Sequence, residues 1–290
     1  LSKEEAMFEP QRVLCPVDFS PQSGAALRVA GGLAAAFGAR LTVLHASQIE
    51  VPLYFTVAQV AALKAQLRKS AKASRAYLEE FAAQHLPAGS SYSLSLPEGD
   101  PVAEILKAVK KSRDGILVMG THGRTGLSRI RLGSVMESVF RQMMGPVVTV
   151  GPQVKLTAGL GKIRRVLAPV DFGEPAREAF GYAATLGEKT GAELVAMHIV
   201  EESSEGQRKK MEGVLCDWVP PEVRAHCRVR EVVQEGRAAE RVIAEARSAR
   251  ADLIVQGAQP RSYWGSLIFG STTEAIIRGA TCPVLSIIRA

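Results

Sequence analysis

The sequence is built on an internal repeat. RVLCPVDFS at 12–20 returns as RVLAPVDFG at 165–173, and at the same offset Ala26, Ala30, Leu33, Gly38, Ala39, Leu41 and His45 meet Ala179, Ala183, Leu186, Gly191, Ala192, Leu194 and His198. Later, PEGDPVAEIL matches QEGRAAERVI, DGILVMG matches ADLIVQG and GPVVTV matches CPVLSI, at a smaller offset. Self-similarity on this scale dictates two copies of one architecture before any single motif is weighed. The change of offset means that the second copy lacks residues between its second and third strands, where the first carries a long stretch from about 57 to 84. A total of 290 residues suits two such domains. They are expected at 1–154 and 155–290, with the glycine-rich, non-periodic GPQVKLTAGLGK at 151–162 as the linker.

Within each copy, short runs rich in Val, Ile and Leu alternate with helical patterns. In the first, they predict strands at 12–17, 40–45, 91–96, 115–120 and 147–150, and helices near 21–37, 56–86, 101–112 and 133–143. Continuous apolar strands of this kind are those covered by helices on both faces. The expected fold class is therefore α/β: two tandem doubly wound parallel-sheet domains, Rossmann-like, with strand order 3-2-1-4-5. The alanine-rich VAGGLAAAFGA reads as a packed helix, too short to span a membrane.

Composition narrows the function classes. Hydrophobic residues make up 47% and charged residues 22%, ordinary for a globular protein, and the formal net charge is +7. The basic residues are scattered among acids with few aromatics between them, the pattern of a solvated surface, so no nucleic-acid partner is expected. No apolar run reaches the roughly 18 residues of a membrane span, and LSKEEAMFEPQ carries no apolar signal segment. The four cysteines, Cys15, Cys216, Cys227 and Cys282, form no CxxC pair. A reducing, cytoplasmic setting is expected, with Cys15 and Cys282 as buried core thiols.

GTHGRTGLSRIRLGS at 120–134 holds glycines at 120, 123, 126 and 133, three arginines and no acid. Glycine permits close backbone approach and arginine supplies positive potential, a combination suited to phosphate. In an open parallel sheet, ligands bind beyond the carboxyl ends of the strands where the strand order reverses, here between strands 1 and 4. That puts Asp18 and the glycine loop on opposite lips of one crevice. Gly133 and Ser134 open the next helix, whose free N–H groups and positive dipole end favour an anion. Asp18 would accept from a neutral donor such as a ribose hydroxyl. The ligand of this shape is a nucleoside polyphosphate.

Both halves resemble the universal stress protein family, and the chain is similar to its tandem form over nearly all of its length. The family signature G-x2-G-x9-G-(S/T) is matched by Gly120, Gly123, Gly133 and Ser134, with PVDFS at the first strand also in place. The resemblance implies an adenine nucleotide, ATP or else ADP or AMP, with Mg²⁺ as an accompanying ion, and a nucleotide-dependent regulatory role in the stress response. It also implies that Pro16 and Asp18 contact the adenosine, that Ala46 offers backbone groups to adenine, and that Met119 and Gly120 flank the ribose. Gly123, Gly133, Ser134 and Val135 would hold the phosphates, with His122 and Arg124 nearby. In the family the terminal strands of paired domains lie together, so 147–150 and 284–288 would join the two halves within one chain. Further pairing into a homodimer would use the apolar second loop.

The second copy keeps Asp171, Gly257, Gly270 and Ser271 but places Pro260 where the second glycine stands, and Trp264, Ile268 and Phe269 replace Leu127, Arg131 and Leu132. Proline removes an N–H from a loop that would work through backbone donors, so nucleotide is expected mainly in the first domain. Several of these residues also have structural readings. Asp18 and Asp171 could cap the helices that follow them. His45 and His198, at equivalent strand ends and without a second ligand at metal spacing, read as structural hydrogen-bonding groups. The absence of Walker, kinase and dinucleotide motifs favours a binding module over a dedicated enzyme. A slow ATPase or self-phosphorylating protein, and a scaffold whose nucleotide site is vestigial, are the alternatives.

Overall fold

The computed structural model describes residues 10–47, 72–112, 114–123, 132–154, 163–201, 205–259 and 270–289. Strands β1 (Arg12–Pro16), β2 (Arg40–Leu44), β3 (Tyr92–Ser95), β4 (Gly115–Gly120) and β5 (Gly145–Val150) belong to the first half. The second half supplies β6 (Arg165–Pro169), β7 (Glu193–Val200), β8 (Val229–Glu235), β9 (Leu253–Ala258) and β10 (Val284–Ile288). Helices α1 (Pro21–Phe37), α2 (72–85), α3 (Pro101–Lys110) and α4 (Ser134–Gln142) connect the first set. Their counterparts are α5 (Glu174–Thr190), α6 (Glu205–Trp218), α7 (Pro221–His226), α8 (Ala238–Ser248) and α9 (Ser271–Gly279).

The ten strands of the described residues form one sheet in the order β3-β2-β1-β4-β5-β10-β9-β6-β7-β8, so the 3-2-1-4-5 order expected from the repeat appears in the first half and is mirrored in the second. Pairing is parallel within each half and antiparallel at the single junction between β5 and β10. There Val148 lies opposite Leu285, while Thr149 meets Val284 and Val147 meets Ser286. Equivalent residues of the two copies thus face each other about a pseudo-two-fold axis through Val148 and Leu285. The family-based expectation that these terminal strands join is met in the chain itself.

Side chains alternate across the strands and build two cores, one on each face, each running through both halves. One contains Val13, Leu27 and Leu33 together with Leu186 and Leu194. The other contains Leu117 and Phe140 together with Leu167 and Ile277. Cys15 and Cys282 are buried in these cores. Burial pushes the Cys15 thiol up, and burial followed by the charge of Asp252 pushes Cys282 up to about 12. Both remain protonated, inert thiols, as their apolar surroundings led us to expect.

Helix α1 shows how closely the sequence sets the boundaries. Ser20 caps it by accepting from Ser23 N, Pro21 occupies the first turn, and Gly38 ends it in a left-handed conformation at φ 65°. The helix expected near 56–86 is seen over 72–85; its upstream part lies outside the described residues. In the second half α6 starts within a mixed-charge stretch, at Glu205. Two successive prolines, Pro220 and Pro221, then lack the N–H groups needed to continue α6, and Pro221 starts the short α7 in its first turn.

Candidate functional site

The turn after β1 is built by side chains that bond back to the chain. Phe19 adopts a left-handed conformation, φ 64°, which turns the backbone so that Asp18 lies beside the crevice. Asp18 Oδ1 accepts from Ser20 N at 3.0 Å and from Ser20 Oγ at 2.6 Å. Ser20 Oγ accepts in turn from Ser23 N at 3.1 Å, and Ser23 Oγ donates to Ser20 O at 3.0 Å. A left-handed conformation costs a bulky residue about 1–2 kcal/mol. The Phe19 ring offsets this by packing on His45, Tyr77 and Phe81 with centroids 4.4, 4.6 and 5.3 Å away. His45 is fixed by a bond between Nδ1 and Val17 O at 2.8 Å.

The second copy repeats the turn. Phe172 has φ 65°, its ring lies 4.5 Å from His198, and His198 Nδ1 bonds Val170 O at 2.7 Å. The repeated histidines therefore clamp a strained turn, the structural reading expected for them. Asp18 and Asp171 do not cap α1 and α5; the caps are Ser20 and Gly173, and each aspartate accepts from its cap residue instead. Ser20 was legible as a cap because Pro21 follows it. The left-handed phenylalanines had no sequence signal, since only glycine and asparagine advertise that conformation.

Opposite the turn, β4 ends at Gly120 and the chain enters the glycine loop. A Cβ on Gly120 would come within 3.1 Å of the Gln22 backbone, and one on Gly123 within 2.6 Å of Asp18 Oδ2. A side chain at either position would thus press on a neighbour within the chain, the Gln22 backbone or the Asp18 carboxylate. Gly133 differs. Its φ of −63° and ψ of 147° suit any residue, and among the described residues a Cβ there would meet nothing closer than Thr121 O at 3.4 Å. Gly133 N donates to Thr121 O at 2.8 Å, closing the base of the loop.

Gly133 is also the N-cap of α4, and it has no side-chain cap, whereas Ser20 and Asp100 cap α1 and α3. Among the described residues the first turn of α4 thus has no side-chain cap, as is also true of α9 behind Gly270, and such a helix start suits an anion. Pro16, Asp18, Ala46, Met119, Gly120, Gly123, Gly133, Ser134 and Val135 all line one cavity of about 250 Å³ between β1 and β4. Arg124 lies outside the described residues. The sequence reading did not single out Ser23, Pro101, Ile105, Thr121 and Met136, which line the same cavity. Among the described residues no group of three His, Cys, Asp or Glu side chains is placed to hold a metal ion.

The equivalent crevice of the second half is larger, about 650 Å³, and differently furnished. Gly173 and Ala176 stand where Ser20 and Ser23 lock the first turn, so Asp171 is exposed and accepts from Gly173 N at 3.0 Å. Gln256 replaces Met119, and Thr272 and Thr273 replace Val135 and Met136. Pro260, Trp264, Ile268 and Phe269 lie outside the described residues.

The model of the "Universal stress protein family" matches residues 9–151, 162–215 and 219–287. The chain belongs to the universal stress protein family. A universal stress protein of Mycolicibacterium smegmatis is 27% identical to it, over 94% of this chain and 95% of that protein. Universal stress protein MJ0531 of Methanocaldococcus jannaschii is 47% identical over 53 residues, 18% of this chain and 31% of that one. Among solved structures, a universal stress protein from Archaeoglobus fulgidus superposes with a TM-score of 0.70 at 24% identity, over 98% of this chain and all of that one. A putative universal stress protein from Pseudomonas aeruginosa gives 0.63 at 16% identity, over 97% and 94%. These two structures share the fold. Among the described residues no helix is long and apolar enough to cross a membrane.

Proposed function

We propose that this universal stress protein binds one adenine nucleotide per chain, ATP or its ADP or AMP product, in the crevice of the first half, as a regulatory ligand. The observation that carries the reading is Gly133. The described chain gives no reason for a glycine there, yet the position caps a helix that has no side-chain cap among the described residues, and Gly133, Ser134 and Val135 all line the cavity. A phosphate seated on α4 would need that backbone approach, with N–H groups of Ser134 and Val135 as donors. Met119, Ile105 and Ala46 offer apolar walls to a base, and the Asp18 carboxylate, held by Ser20, is an acceptor for a ribose hydroxyl. The domain division at 154/155 follows the same reading, with the second half taken as binding nucleotide weakly or not at all.

The test is to denature the purified protein, identify released nucleotide by mass spectrometry and determine its stoichiometry, beside the variant Gly133→Ala. About one adenine nucleotide per chain, lost in the variant while its far-UV spectrum is retained, is the expected result. Two equivalents at similar affinity would overturn the assignment to the first half. No nucleotide, and none taken up from added ATP, would overturn the proposal.

A further inference from the structure

The two halves differ a second time on the sheet face covered by α3 and α8. In the second half this place is filled by an ion-pair network. Arg165 at the start of β6 bonds Glu193 at the start of β7 at 2.5 Å and also donates to Ala249 O. Arg230 bridges Glu193 at 3.6 Å and Glu245 of α8 at 2.9 Å, and Gln234 and Ser248 complete the bonds to Glu245. Glu245, 9% exposed, is almost enclosed by its partners.

The repeat places Arg12 at Arg165, Arg40 at Glu193, Ser93 at Arg230 and Ala108 at Glu245. Both carboxylates are gone. What remains is a groove of about 500 Å³ lined by Arg12, Arg40, Lys107 and Lys111, with Thr42, Ser93 and Ser95 on its floor. Glu104 is the acid lining it, and it is engaged with Lys107 at 3.2 Å. Arg12 and Arg40 are direct neighbours in the β1–β2 register, and both are exposed. Arg12 donates to Lys111 O at 3.4 Å, and among the described residues neither arginine has a carboxylate partner. Like charges directly opposite each other in a sheet are unfavourable. At the same register the second half has the pair Arg165 and Glu193.

We propose that this groove is a binding site for a small organic anion bearing two or more carboxylates, which supplies from outside the charges that Glu193 and Glu245 supply within the second half. Guanidinium groups match carboxylates in a planar, bidentate manner. The volume freed by Ala108 and Ser93 has the size of small-ligand sites and a concave form that an extended chain does not require. The groove adjoins the nucleotide crevice, Leu44 lining both, but Arg12, Arg40, Lys107 and Lys111 line the groove alone.

The test uses the full chain and citrate as probe, with acetate at matched ionic strength as control, reading the thermal midpoint and the heat of binding. Citrate should raise the midpoint and bind saturably, and acetate should not. Arg40→Glu should abolish citrate binding, a loss of about tenfold or more in affinity, while retaining the far-UV spectrum, because it re-creates the second half's pair with Arg12. Ala108→Glu, which fills the groove with the second half's own acid, should do the same. Equal effects of citrate and acetate would reduce the finding to charge screening and overturn the proposal. Citrate binding unchanged in both variants would overturn it too, as would a preference for an acidic peptide over citrate.

Discussion

The turn that carries Asp18 and the turn that carries Asp171 share a backbone and differ in what holds them. Both place a phenylalanine at φ 64–65° against a histidine that is tied to the preceding strand. The first adds Ser20 and Ser23, so that its aspartate accepts two bonds from Ser20 and is half-buried. The second has Gly173 and Ala176 at those places, and its aspartate stands exposed on one bond. The backbone of the turn is thus present in both copies, while the serines that hold its aspartate are present in one. Volume does not separate them in the same way, since the second crevice is the larger. The halves therefore differ both in crevice volume and in the bonds that hold the turn, and the firmer turn belongs to the smaller crevice.

That comparison can be broken at the glycines first. Gly120 and Gly257 end equivalent strands, but a Cβ on Gly257 would come within 2.4 Å of the Pro175 backbone, against 3.1 Å to Gln22 for Gly120. Gly257→Ala should destabilise the protein by about 3 kcal/mol and Gly120→Ala by about 1 kcal/mol, read from urea unfolding. Equal losses would mean that the helix abuts both strands alike. The aspartates come next. Asp18→Ala removes the acceptor of both Ser20 bonds and should cost about 1–2 kcal/mol. Asp171→Ala should stay within about 0.5 kcal/mol, and a larger loss would show that the second turn is held as firmly as the first. Smallest is the graft Gly173→Ser with Ala176→Ser. It should stabilise the second turn by a few tenths of a kcal/mol, since serine improves only slightly on glycine as a cap, measurable as a shift in midpoint.

Much of the fold was legible because the repeat and the apolar strands speak for themselves. The bounds of α1 follow from Ser20, Pro21 and Gly38, and β4 was read to the residue. The candidate crevice was legible where glycine spacing carries it, since nine of the ten residues named for the site line one cavity. What stayed hidden depends on distance in three dimensions. That Gly120 and Gly123 answer to Gln22 and Asp18 needs the packing of α1 on β4 and the return of the turn. The emptied ion-pair network was equally invisible, because Arg40 and Ala108 are unremarkable until Glu193 and Glu245 are seen bonded to one arginine.

The antiparallel junction of β5 and β10 has a geometric consequence. Strands within each half run parallel, so reversing direction at the junction points the two carboxyl-end crevices toward opposite poles of one continuous sheet. A macromolecule seated over one mouth leaves the other unobstructed. Events at one crevice and at the other are thus separated by the full width of a shared floor.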